Sequence, residues 1–364
     1  MITFDGVTKR FSDGTVAVSE LDLEVDEGEV VVLVGPSGCG KTTSLRIVNR
    51  MVEPTSGRLY VNGEDALSIA PHELRRGIGY VIQKAGLFPH RTVQENIATV
   101  PRLLKWEEQR TSDRVHELME LVGLPSYTAQ RYPHQLSGGQ QQRVGVARAL
   151  AVDPPIMLMD EPFGAVDPIV RGHLQEEFLR LQAEVRKTIV FVTHDVDEAI
   201  TMGDRIAVLN VGGVLEQFAT PGELLAKPAN DFVADFLGEE RGLKRLSLRK
   251  VSEVTAERGP MVEDSASAAE AARVAEREDA DYVIVVDRDR RLQGWASVAD
   301  LGTASRLADL ELQQPRLYVH AENSLRAALN AMVSSHVGVA IRLGPQGTYE
   351  GIVTHEILSK ELLL

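Results

Sequence analysis

The feature that most constrains this chain is Gly35-Pro36-Ser37-Gly38-Cys39-Gly40-Lys41-Thr42-Thr43, which follows the apolar run Val30 to Val34. Helix-like residues continue from Thr43 to Met51. A strand, a Gly-x4-Gly-Lys-Thr turn and a helix, in that order, form a site for the phosphates of a nucleoside triphosphate. Glycines let the backbone curl so that successive N–H groups point inward, and the helix start adds positive potential. In such a loop Lys41 reaches the β- and γ-phosphates, and the Thr42 hydroxyl holds Mg²⁺. Cys39 reads either as a space-filling residue or as a thiol made reactive by the loop's positive potential.

Composition narrows what surrounds this site. A chain of 364 residues has room for two or three domains. With 43% hydrophobic and 25% charged residues, the mix is that of a soluble globular protein. The net charge of −14 argues against general affinity for nucleic acid. No apolar run approaches the roughly 18 residues that cross a bilayer, so a role at a membrane needs other subunits as anchors. Cys39 is the only cysteine, which excludes an internal disulfide and fits a reducing compartment.

Further candidates appear along the chain. Phe11 offers a ring on which a nucleobase can stack. Gly79 to Gln83 reads as a strand ending on a polar side chain able to orient water or ligate a metal. Asp113 to Gly123 reads as a helix with Val115, Leu118, Met119 and Val122 on one face. In Leu136-Ser137-Gly138-Gly139-Gln140, Ser137 is a natural N-cap and the glycines leave N–H groups open to an anion, a second phosphate-seeking helix start. Ile156 to Met159 is a buried strand that ends in Asp160-Glu161, one carboxylate suited to the Mg²⁺ shell and the other to polarising water. Asp167-Pro168 starts a helix as cap and first residue. Thr188 to Thr193 is a strand that delivers His194 at its carboxyl end, where ligands of parallel sheets sit.

Taken together, these residues resemble the ATPase subunits of ABC (ATP-binding cassette) transporters, over residues 1 to about 238. The resemblance implies an α/β P-loop ATPase fold with a mostly parallel sheet, an antiparallel β subdomain and a helical subdomain. It makes Phe11 the adenine-stacking aromatic, Gly35 to Thr42 the Walker A loop, Gln83 the Q-loop glutamine and Leu136 to Gln140 the signature sequence. It makes Asp160 the Walker B carboxylate, Glu161 the general base, Asp167 the D-loop residue and His194 the switch histidine. Implied cofactors are ATP and Mg²⁺, with Thr42, Gln83 and Asp160 around the metal. Val81 to Thr92, Glu95 to Pro101 and Trp106 further resemble the ATPases of quaternary-amine importers for glycine betaine, choline, carnitine or proline.

Breakers at Pro221-Gly222 and Pro228 and a polar joint at Glu239 to Gly242 place a boundary near 238–243. Beyond it lies an internal repeat. Asp281 to Ile284 aligns with Gly338 to Ile341, and Gly294 to Ser297 with Gly351 to Thr354, both offset by 57 positions (338 − 281 and 351 − 294). The two copies, over 243–303 and 304–364, resemble a tandem CBS (cystathionine-β-synthase) pair, an α+β module that regulates many transporters and often binds adenosyl nucleotides. Its ribose motif survives as Gly294, Ser297 and Asp300, while the second copy ends it in Ile357. Lys244, Arg245, Arg249 and Lys250 form a basic strip at the entrance to this module; in resembling importers the CBS pair is linked to ionic strength and anionic lipid, for which such a strip is suited.

The expected mechanism is a head-to-tail dimer closing on two ATP molecules, with Ser137 of one copy meeting the phosphate held by the other. Membrane permease subunits docked near Gln83 would convert the cycle into uptake at the cytoplasmic face, served by an extracytoplasmic solute-binding protein. The competing readings are an ATPase of another importer class, a soluble ABC ATPase of repair or translation, and a nucleotide-sensing scaffold. Neither a second cassette nor a coiled-coil insertion appears, and Glu161 and His194 argue against a pure sensor.

Overall fold

The computed structural model describes residues 1–82, 86–164, 167–335 and 337–363, apart from the side chains of 168–170 and 363. Gln83 lies outside the described residues. The chain divides into two compact units, Met1–Leu237 and Gly238–Leu364.

In the first unit, continuous apolar runs become strands covered on both faces, as parallel sheets require. Val30–Val34, Ile156–Asp160 and Thr188–Val192 are buried at every position. The sheet runs in the order Val214–Ala219, Arg205–Asn210, Val30–Val34, Thr188–Val192, Ile156–Asp160, Ile78–Val81. All its pairs are parallel except the one made by the edge strand Val214–Ala219. Val16–Val25 instead alternates buried and open positions, and joins Ile2–Arg10, Ser56–Val61 and Glu64–Asp65 in an antiparallel sheet. One apolar cluster unites the two sheets, with Phe4, Leu21 and Leu59 from the antiparallel side and Leu33, Leu158 and Val190 from the parallel side. Leu45, Ile47 and Val48 of the helix Lys41–Val48 complete it. Burial of each large side chain is worth about 1.5–3 kcal/mol, so the core itself fixes where that helix starts.

Two helix starts precede those expected from periodicity. The first helix begins at Lys41 rather than Thr43, because Ser44 N–H already donates to Gly40 O at 2.8 Å. That puts Lys41 and Thr42 inside its first turn. The helix expected from Asp113 runs over Glu108–Leu121, its early turns carrying only polar residues, of which Thr111 is buried.

The second unit repeats itself in detail. Helices Ala268–Arg277 and Leu325–Ser334 start from Ser267 and Ser324, whose hydroxyls accept from Glu270 N and Ala327 N. Strand Tyr282–Val286 pairs antiparallel with Leu292–Ser297, and Ala340–Leu343 with Tyr349–Val353. Val283 faces Ala296 and Val285 faces Gly294, as Ala340 faces Val353 and Arg342 faces Gly351. The packing crosses the division expected between 303 and 304. Leu246, Val251 and Val254 belong to the core of the second copy, and Leu307, Leu310 and Leu312 to that of the first. Each copy therefore receives an arm from outside its own stretch. A third cluster, with Tyr282, Ile284 and Trp295 against Ile341, Tyr349 and Ile352, joins the copies.

Candidate active site

The turn after Val30–Val34 is shaped by two glycines that nothing else can replace. Gly35 has φ +150°, and a Cβ there would strike the carbonyl oxygen of Leu209. Gly40 has φ +95°, and its Cβ would occupy the carbonyl oxygen of Ala17. The loop is thus pressed so closely onto its neighbours that no side chain fits at either position. Cys39 is wholly buried, with Sγ 3.6 Å from Lys41 Nζ, so it fills space and is shielded from reagents. Lys41, only 7% exposed, donates from Nζ to Gly35 O at 2.8 Å and Pro36 O at 3.0 Å. Those carbonyls satisfy a buried ammonium that has no carboxylate partner of its own in this loop.

Thr42 Oγ1 donates to Asp160 Oδ1 at 2.9 Å. Burial pushes the Asp160 carboxyl above the usual range, against the opposing Thr42 hydrogen bond and the Arg46 charge. A hydroxyl and a desolvated carboxylate side by side are hard oxygen donors, the set that suits Mg²⁺. Among the described residues no three His, Cys, Asp or Glu side chains gather around one point. A cation here would therefore complete its shell with phosphate oxygens and water, which is Mg²⁺ behaviour at nucleotides. The residues fit the ion.

Glu161 follows Asp160 at φ +44°, a left-handed conformation that costs about 1–3 kcal/mol in a non-glycine residue. Its N–H donates to Val192 O at 2.9 Å, which ties the turn to the neighbouring strand. His194 leaves that strand's end, and its Nδ1 lies 3.1 Å from Glu161 Oε1. Ala17, Ser37, Gly38, Gly40, Lys41, Thr42, Thr43, Glu161 and His194 line one cavity of about 510 Å³. Ala17 is a member that sequence reasoning passed over, since an alanine in a strand carries no chemical signal.

Other candidates stand apart from this cavity. Phe11 is 40% exposed, with Lys9 Nζ 5.3 Å from its ring centre, and does not line the cavity. Ser137 caps the helix Gly138–Leu150 in a reciprocal pair, its Oγ accepting from Gln140 N while Gln140 Oε1 accepts from Ser137 N. Nothing stands within 4 Å of a Cβ built at Gly138, so the backbone there is open to an approaching ligand. Neither Ser137, Gly138, Gly139 nor Gln140 lines the cavity. Asp167, an exposed residue, accepts from Arg171 N–H at 2.8 Å at the head of the helix Pro168–Val185.

Residues 18–164 match the family model for ABC transporters. Over 362 residues the chain is 42% identical to the glycine betaine/carnitine/choline transport ATP-binding protein OpuCA of Bacillus subtilis, covering 98% of this chain and 95% of that one. The chain belongs to the ABC transporter ATP-binding proteins. This ABC ATPase is also 42% identical to the osmoprotectant import ATP-binding protein OsmV of Salmonella typhimurium, over 100% of its own length and 96% of the relative's. Among solved structures it is similar to the ATP-binding cassette MJ0796, seen as a dimer in a post-hydrolysis state with ADP and Pi. That likeness has a TM-score of 0.55 and 35% identity, and covers 61% of this chain and 99% of that one. ATP hydrolysis is the activity of this fold, and the glycine cradle, Lys41, Glu161 and His194 are the groups here that could perform it.

In the second unit of the ABC ATPase, Ser297 Oγ donates to Asp300 Oδ2 at 2.8 Å and caps the short helix Val298–Leu301. The counterpart Ile357 packs onto the cluster around Leu246, so the second copy offers no carboxylate there. Arg249 and Lys250 of the basic strip are engaged internally. Arg249 pairs with Glu253 at 2.6 Å and Glu361 at 2.7 Å, and Lys250 with Glu322 at 2.6 Å. These pairs reduce the charge the strip can offer an anionic lipid.

Proposed function

We propose that this ABC ATPase is the ATP-hydrolysing subunit of an importer for quaternary-amine osmoprotectants, one of glycine betaine, choline, carnitine or proline. The observation that carries this is the agreement along nearly the whole chain, second unit included, with proteins named for such transport. Among the described residues no helix is long and apolar enough to cross a membrane. The reading therefore holds the subunit at the cytoplasmic face through permease subunits, with an extracytoplasmic solute-binding protein acting on the far side. Residues 1–238 form the cassette and 243–303 with 304–364 a tandem CBS pair that regulates it.

In this reading the loop Gly35 to Thr43 wraps the triphosphate with its N–H groups, and Phe11 stacks on the adenine. Lys41 exchanges the Gly35 and Pro36 carbonyls for phosphate oxygens, a charge-assisted trade that gains strength because the ammonium is already desolvated. Thr42 and Asp160 would hold Mg²⁺, with Gln83 as a further contact, and the bound ion would supply neutralisation of the phosphate charge. Glu161 takes a proton from the attacking water, and His194 contacts the γ-phosphate while steadying Glu161. Because Ser137 and Gly138 do not line this cavity, their helix start serves the nucleotide of a second copy in this reading, with Asp167 at the joint. Two positively polarised surfaces then close on one anion, and hydrolysis releases them.

The test has two arms. Glu161→Gln is expected to keep ATP binding and lose at least about a hundredfold in turnover, and near-normal hydrolysis contradicts the base assignment. Uptake of labelled betaine, choline, carnitine and proline is compared with and without this gene at low and high osmolarity. Loss of none of the four overturns the transport reading.

A further inference from the structure

The turn that carries His194 is fastened by side chains with no part in the chemistry above. Strand Thr188–Val192 runs into Thr193, which is fully buried, then His194, then Asp195 at the head of the helix Val196–Met202. Asp195 Oδ1 accepts from Asp197 N at 2.9 Å and Glu198 N at 3.2 Å, and Asp195 N–H donates to Thr193 Oγ1 at 3.1 Å. These bonds make Thr193 to Glu198 one stiff piece. Two residues of the helix Pro168–Val185, a turn apart, grip it. Gln175 Nε2 donates to Glu198 Oε1 at 3.1 Å, and Arg171 Nη1 stands 3.5 Å from Asp195 Oδ2.

Glu198 is 6% exposed, although a carboxylate in the first turn of a short helix ordinarily faces water. Burial pushes its carboxyl above the usual range; hydrogen bonds from Thr193 and Gln175 oppose this, Asp195 adds to it and Arg171 counters it. Burying a carboxylate is costly unless its bonds are held in place, so the contact fixes the relative position of the two helices sharply. The gripping helix starts directly after Asp167.

We propose that Glu198 and Gln175 are positioning residues for hydrolysis: they lock the Thr193–Glu198 turn to the helix that follows Asp167, so that His194 stays in range of Glu161. A displacement of that helix then moves His194 away from Glu161, which couples the segment at the joint between copies to the reacting phosphate. This rests on the role given to His194 above.

The experiment is a double-mutant cycle on the full chain, reading kcat, KM for ATP and melting temperature. Glu198→Ala is expected to lower kcat about tenfold while KM changes less than about twofold. In a His194→Ala background the same substitution is expected to cost less than about twofold more, because its effect passes through His194. The exchanged pair Gln175→Glu with Glu198→Gln swaps donor and acceptor and is expected to restore at least about half of kcat. Gln175→Leu, on the opposite helix, repeats the cycle if Glu198→Ala does not fold. Equal losses with and without His194, or a lower melting temperature at unchanged kcat, overturn the positioning role and leave the site intact. If His194→Ala itself leaves kcat unchanged, the reading of the site and this proposal fall together.

Discussion

At Gly40 the fold has no tolerance for a single extra carbon. The backbone sits at φ +95° and the Ala17 carbonyl oxygen fills the place of a side chain. Gly40→Ala must relieve both the clash and about 1–3 kcal/mol of backbone strain, and does so by opening the loop. Titration with a fluorescent ATP analogue is expected to show at least tenfold weaker binding; unchanged affinity would mean the cradle does not depend on this geometry. Cys39, sealed behind the same loop, is expected to resist alkylation in the folded protein with or without ATP, as followed by mass spectrometry. Residues of this kind are legible because glycine, lysine and paired carboxylates carry chemistry in their identity. Ala17 and Glu198 are not. An alanine in a strand and a glutamate in a helical first turn look ordinary until the fold shows what each one touches.

Helix starts and strand pairs carry the next level of the design. Ser137 and Gln140 satisfy one another's backbone at the head of Gly138–Leu150, and removal of an N-cap hydroxyl costs about 1 kcal/mol. Ser137→Ala is therefore expected to leave a folded protein that binds ATP normally as a single copy, yet to lose much more turnover than that stability change explains. A turnover loss no greater than the shift in melting would remove Ser137 from the second copy's site. In the second unit, burial pushes Tyr282 up to about 12 and Tyr349 higher still. An unfolded tyrosine titrates near 10, so above that pH the unfolded state gains charge that the fold withholds. Stability of this unit is fully present below pH 10 and is lost as pH rises through about 12, a loss that Tyr282→Phe is expected to lessen in melts from pH 9 to 12. The repeat was visible as a 57-position offset (338 − 281) because register and glycines recur together. The crossing of the arms was not, since Leu246 to Val254 has no periodicity that says which copy it will join.

For the molecule as a whole, two surfaces polarised for phosphate belong to one chain and only one of them lines the cavity around Lys41. The parallel sheet, the loop at its carboxyl end and the order of motifs were readable in the sequence because apolar runs and glycine turns are local signals. That Ser137 does not line that cavity, the separation that the proposed pairing of two copies calls for, was not a matter of pattern. Arg249 and Lys250 show the same limit: a basic strip in sequence is, in the fold, partly spent on Glu253, Glu361 and Glu322. The most direct test of the two-copy site is sedimentation of Glu161→Gln with and without ATP and Mg²⁺. The prediction is a shift from the mass of one chain to that of two when the nucleotide is added. A single-chain mass under both conditions, even with the permease present, contradicts it.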